Sequence, residues 1–232
     1  MTAEKSAWEQ ELGAWTHERD PFSLAIAQGS KFMHPRQMLR ELEQAMPPGA
    51  MVATDIGNVC SVANSYLRFE QPRSMFAAMS FGNCGYAFPV SCGAKIAAPH
   101  RPAIAYVGDG AWGISLNELL TCAREKIGVT VIVFNNGQWG AEKKNHVDFY
   151  SRRFNAVNLD SPSWAAVAKA FGCEGITVDR LADVGPALVA AVNAQPAGKC
   201  TVIEMMLTQE LGDPFRRDAL SKPVRYLEKY QA

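Results

Sequence analysis

Two textures alternate along this chain: short, wholly apolar runs rich in β-branched residues, and longer stretches in which apolar residues recur every three or four positions. After His34-Pro35, the spacing of Met38, Leu39, Leu42 and Met46 predicts a helix with proline in its first turn, closed by Pro47-Pro48-Gly49. MVATD then reads as a short buried strand, AIAYV (103–107) as a second and VTVIVFN (129–135) as a third. Between the last two, Ser115-Leu116-Asn117-Glu118 has the capping-box pattern that would open a helix running to about Lys126. Residues 164–171, 175–178, 182–194 and 200–207 continue as helix, strand, helix and strand. Apolar strands alternating with amphipathic helices predict an α/β fold, a three-layer α/β/α arrangement with a mostly parallel sheet covered on both faces. The 232 residues suit one domain with appendages: an arm over 1–31, in which Trp8 and Trp15 could anchor to a neighbouring surface, a domain over 32–207 and a tail over 208–232.

Composition narrows the function classes. Lysine plus arginine and aspartate plus glutamate both number 23, so no overall field draws the molecule to nucleic acid or an anionic bilayer, and any anion site is local. No stretch approaches the roughly 18 apolar residues of a membrane span, and the charged N-terminus points to a cytoplasmic protein. Cys60, Cys84, Cys92, Cys122, Cys173 and Cys200 form no CxxC pair and have no histidine at zinc-ligand spacing, so they read as small buried hydrophobes.

The candidate chemistry lies where strands end. Gly108-Asp109-Gly110 follows one predicted strand and Asn135-Asn136-Gly137-Gln138 the next, with a single helix between. Ligands of parallel sheets bind at the carboxyl ends of strands, and a βαβ crossover sets consecutive ends side by side, so Asp109 and Asn136 are expected to converge. One carboxylate and one amide oxygen suit magnesium, which takes few protein carboxylates and completes its six oxygens from phosphate and water. The glycines beside Asp109 let the main chain approach a phosphate closely. Gly-Asp-Gly alone is a common turn, and these residues by themselves indicate a metal-assisted phosphate site.

GDGAWGISLNELLTCAREKIGVTVIVFNN resembles the signature of thiamine-diphosphate enzymes. TDIGN (54–58) and SFGNCGYAFPVSCGAK (80–95) resemble the matching segments of the acetolactate synthase and pyruvate oxidase superfamily, and the likeness runs over residues 32–206. It implies thiamine diphosphate and Mg2+ as cofactors, with Asp109, Asn136 and the main-chain oxygen of Gln138 as metal ligands. Gly57 and Asn58 would lie near the diphosphate, Gly108, Gly110 and Ala111 in the loop beneath it, and Asn83-Cys84-Gly85 along the aminopyrimidine ring. Cys84 stands where relatives carry a larger apolar residue; packing beside the ring is its expected role, and a reactive thiol the alternative.

Within the superfamily, GNCGYAFP, GDGAWGISLNELLT, NNGQWGAEKKNHVDFY and GDPFRRDALSKPVRYLEKY are most similar to the sulfoacetaldehyde acetyltransferases. That likeness implies conversion of sulfoacetaldehyde and phosphate to sulfite and acetyl phosphate. Lys143, Lys144, His146, Arg152, Arg153, Arg216 and Arg217 are then candidates for holding small anionic substrates, sulfonate or phosphate, and His34 is structural. A subunit of an acetolactate synthase-like or 2-oxoacid decarboxylase enzyme, and a non-catalytic scaffolding subunit, are the alternatives. The glutamate that activates the cofactor in this superfamily belongs to a pyrimidine-binding domain, which no segment here resembles. A separate domain or subunit carrying it, in a homo- or hetero-oligomer, is the expected partner.

Overall fold

A computed structural model describes residues 32–209. Helix α1 (Pro35–Ala45) begins at the proline, whose missing N–H is no loss in a first turn, and buries Met38, Leu39 and Leu42 on one face. His34 is buried at its start, with its carbonyl accepting from Met38 N. Then follow β1 (Met51–Thr54), α2 (Asn58–Ala63), β2 (Met75–Ala77), α3 (Ala87–Ala97), β3 (Ala103–Gly108), α4 (Asp109–Ser115), α5 (Glu118–Glu125) and β4 (Thr130–Asn135). The chain continues through α6 (Gly140–Phe149), α7 (Trp164–Ala170), β5 (Glu174–Val178), α8 (Leu181–Ala194), a 3-10 turn at Gln195–Ala197 and β6 (Thr201–Met206).

The six strands form one parallel sheet in the order β2-β1-β3-β4-β6-β5. Successive strand residues point to opposite faces, which divides the core in two. Val52, Ile104, Tyr106, Ile132, Ile203 and Met205 face α1 and α8, whereas Met51, Ala105, Val107, Val131, Val133 and Val202 face α3, α5 and α7. The three-layer α/β/α expectation holds. After β1 the chain packs toward the first face, through Ala63 of α2, and after β3 toward the second, through Trp112 of α4. Adjacent strands whose connections leave on opposite sides open a crevice at their carboxyl ends.

Several local expectations are corrected. Gly108-Asp109-Gly110 is not a free turn: Gly108 is the N-cap of α4 and Asp109 its first residue. The capping box at 115–118 does not form, because Ser115 ends α4 with its hydroxyl buried and unbonded. Asn117, the N-cap of α5, stays in the helical region and makes no side-chain cap, so the two short helices run almost into one another. Cys92, Cys122 and Cys200 are buried as expected, whereas Cys84 and Cys173 are only half-buried. The side chain of Cys60, the arm with Trp8 and Trp15, and the tail with Arg216 and Arg217 lie outside what is described. No helix among the described residues is long and apolar enough to cross a membrane.

Candidate functional site

The β3–β4 register sets Gly108 beside Phe134, so the two strands end level and Asp109 meets the Asn136–Gln138 loop. Asp109 is 2% exposed. Its Oδ1 accepts from Gly110 N at 3.0 Å and its Oδ2 from Gly137 N at 2.7 Å. Burial raises its pKa above the ordinary carboxylate value, and the N–H groups of Gly137, Gly110, Gln138 and Asn136 pull the other way. A dry carboxylate bonded only by amides is held in place but not neutralised.

The crevice is a cavity of about 580 Å³. Gly57, Asn58, Cys84, Gly108, Asp109, Gly110, Ala111, Asn136 and Gln138 all line it, whereas Asn83, which is exposed, and Gly85, which is half-buried, do not. Gly110 has a steric reason: a Cβ there would sit 2.7 to 2.8 Å from the indole of Trp139. Gly57 holds φ +111°, a conformation that side chains rarely adopt. Gln138 is 3% exposed, and both ends of its carboxamide lack partners.

Asp55, at the end of β1, fixes the strip around Cys84. One carboxylate oxygen accepts from Ile56 N (3.1 Å) and Gly85 N (2.9 Å), and the other from Ala87 N (3.3 Å). Burial raises its pKa also, against those amides. The Cys84 thiol is pushed up by burial and then by Asp55 and Glu142, so it stays protonated. Such surroundings disfavour the thiolate that a nucleophile requires.

A family model described as the thiamine pyrophosphate enzyme, C-terminal TPP binding domain, matches residues 55–205. This chain belongs to that family. The TPP-binding domain is 68% identical, over its whole length, to a sulfoacetaldehyde acetyltransferase of Castellaniella defragrans, and 62% identical to one of Alcaligenes xylosoxydans xylosoxydans. It spans 40% of the length of each. Among solved structures, the benzoylformate decarboxylase of Polynucleobacter necessarius shares the fold, with a TM-score of 0.71 at 22% identity over 78% of this chain and 34% of its own.

In this TPP-binding domain only His146, among the described basic residues read as substrate-holding candidates, lines the cavity. Lys143 Nζ bonds Asn158 (3.1 Å) and Gln209 (3.2 Å), and Lys144 Nζ pairs with Asp148 at 2.5 Å. Arg152 and Arg153 are exposed and do not line the cavity. Sequence reasoning missed Arg36, Trp139, Glu142 and Asn155, which also line it. Glu142 had a signal, as an acid directly before a basic run on the segment after the paired asparagine. Arg36 had none, because α1 is remote in sequence and reaches the cavity only through the fold.

Proposed function

We propose that the domain holds thiamine diphosphate through magnesium at the ends of β3 and β4, as part of a sulfoacetaldehyde acetyltransferase. The observation that carries this reading is the pairing of a buried, unneutralised Asp109 with Asn136 on neighbouring strand ends, over a cavity whose wall beside them includes Gly57, Gly108, Gly110 and Ala111. The residues fit the group: one carboxylate, one amide and a main-chain oxygen are a hard-oxygen set for magnesium, with positions left for a diphosphate. In this reading Asp109, Asn136 and the Gln138 carbonyl hold the ion, and Gly57, Asn58, Gly108, Gly110 and Ala111 border the diphosphate. The strip of Asn83 and Cys84, tied down by Asp55, supports the aminopyrimidine end. Bound cofactor supplies an electron sink for cleaving a bond next to a carbonyl carbon.

Identity of 68% across the full chain supports sulfoacetaldehyde and phosphate as substrates, with sulfite and acetyl phosphate as products. Because the chain spans 40% of those relatives, the rest of the machinery, including the activating glutamate, belongs to a pyrimidine-binding portion. Residues 1–31 and 208–232 are proposed as the arm and tail that meet that portion or a symmetry mate, in a cytoplasmic oligomer. The test is to supply the complete enzyme carrying this domain with thiamine diphosphate, magnesium, sulfoacetaldehyde and phosphate. Equal amounts of sulfite and acetyl phosphate are expected. Carbon dioxide from pyruvate without sulfite would replace the reading with a 2-oxoacid lyase, and cofactor binding without turnover of either substrate would leave a scaffold.

A further inference from the structure

Both substrates of the proposed reaction carry a tetrahedral oxyanion, and a 580 Å³ cavity holding Asp109 and Glu142 disfavours them unless donors line it. Arg36 on its wall is one, already engaged in an interaction of its own, and the segment after Asn136 is the other source. Of the five described basic residues on the segment after Asn136, Lys143 and Lys144 are engaged, and Arg152 and Arg153 are exposed and outside the lining. His146 remains. It lies on α6 one turn after Glu142, lines the cavity, and is packed edge-on to Tyr150 (centroids 5.8 Å apart) and tilted against Phe154 (6.3 Å). Its Nδ1 is sealed from solvent and has no partner, so a hydrogen bond to a molecule in the cavity leaves from Nε2.

The sealed nitrogen also assigns the tautomer. A proton on Nδ1 would bury an N–H with no acceptor, whereas a proton on Nε2 buries only a lone pair, the less costly orphan. The ring thereby lines the cavity with Nε2–H as its donor, held by aromatic packing instead of by polar bonds that a ligand would have to break.

We infer that His146 is a residue of this domain that binds the tetrahedral oxyanion of a substrate, sulfonate or phosphate, through Nε2–H. This rests on the acetyltransferase reading for the identity of the ligand and not for the existence of the donor. The test uses the complete holoenzyme with two unreactive probes, inorganic phosphate without sulfoacetaldehyde and 2-hydroxyethanesulfonate, each titrated by calorimetry. His146→Phe keeps the ring packing and removes the donor, and His146→Gln restores an N–H at a similar reach. The Phe variant is expected to weaken one probe about 10- to 100-fold, the range for a hydrogen bond to a charged group, and the Gln variant less than about fivefold. Magnesium and thiamine-diphosphate affinities stay within about twofold of wild type in both.

Loss confined to 2-hydroxyethanesulfonate assigns the sulfonate and loss confined to phosphate the acceptor; loss of both assigns one shared position. The KM of the matching substrate rises while kcat changes little. Unchanged binding of both probes by the Phe variant overturns the inference, as does failure of the wild type to bind either probe, or parallel loss of cofactor affinity in both variants. Sulfite release by the wild type is scored separately: its absence, with a probe loss still seen, discards the acetyltransferase and keeps the oxyanion donor.

Discussion

Glu204 and Asp109 are both carboxylates with 2% exposure, yet the structure treats them in opposite ways. Glu204, on β6, is surrounded by donors. Its Oε1 accepts from Asn135 Nδ2 (2.8 Å) and Trp164 N (3.1 Å), and its Oε2 from Ser163 Oγ (3.0 Å), Thr177 Oγ1 (3.2 Å) and Ala165 N (3.3 Å). It ties β4, β5 and β6 to the start of α7. Asp109 has only main-chain donors and faces an open cavity. A buried acid with every lone pair used is a fastener, whereas one left short of positive charge beside open space is a binding group in waiting. The paired asparagines divide along the same line: the Asn135 side chain turns to the fastener, and Asn136, one residue on, lines the cavity.

Removing the fastener should have the largest effect. Glu204→Ala strands the Trp164 and Ala165 N–H groups and the Asn135 amide, at an expected cost of roughly 3 kcal/mol in urea unfolding. A cost below about 1 kcal/mol would erase the distinction. Asp109→Ala should do the reverse: unfolding without ligand changes by less than about 1 kcal/mol, while thiamine-diphosphate affinity in magnesium falls about 100-fold by equilibrium dialysis. Unchanged affinity would mean that Asp109 holds no metal.

Asp55 sharpens the contrast with a smaller effect. Its raised pKa means that folding favours the protonated acid, so the cost of its charge is present at neutral pH and is relieved as the pH falls through the native value toward 3.8. Wild type should therefore gain stability relative to Asp55→Asn as the pH is lowered from 7 to 4, by about 1 kcal/mol in paired melting curves. A difference that shrinks on acidification would reverse the sign and the explanation.

What sequence could show follows the same physics. β1, β3, β4 and β6 were legible because central parallel strands are apolar on both faces, and Asp109 and Asn136 because they directly follow such runs. β2 was not, as a three-residue edge strand whose residues are exposed or half-buried. Glu204 is one polar position in an apolar strand and nothing local marks it, since its five donors come from segments 27 to 69 residues away. The choice of His146 among the basic residues required knowing which of its neighbours were already bonded, and that is a property of the folded surface.

The indole of Trp139 lies against Gly110 on the cavity wall, while Trp112 and Trp164 are buried in the core. Among the described tryptophans, these surroundings make a built-in optical reporter: filling the cavity should quench or shift the emission of Trp139 and leave that of Trp112 and Trp164 as an internal reference, a separation read most cleanly with Trp8 and Trp15 replaced by phenylalanine.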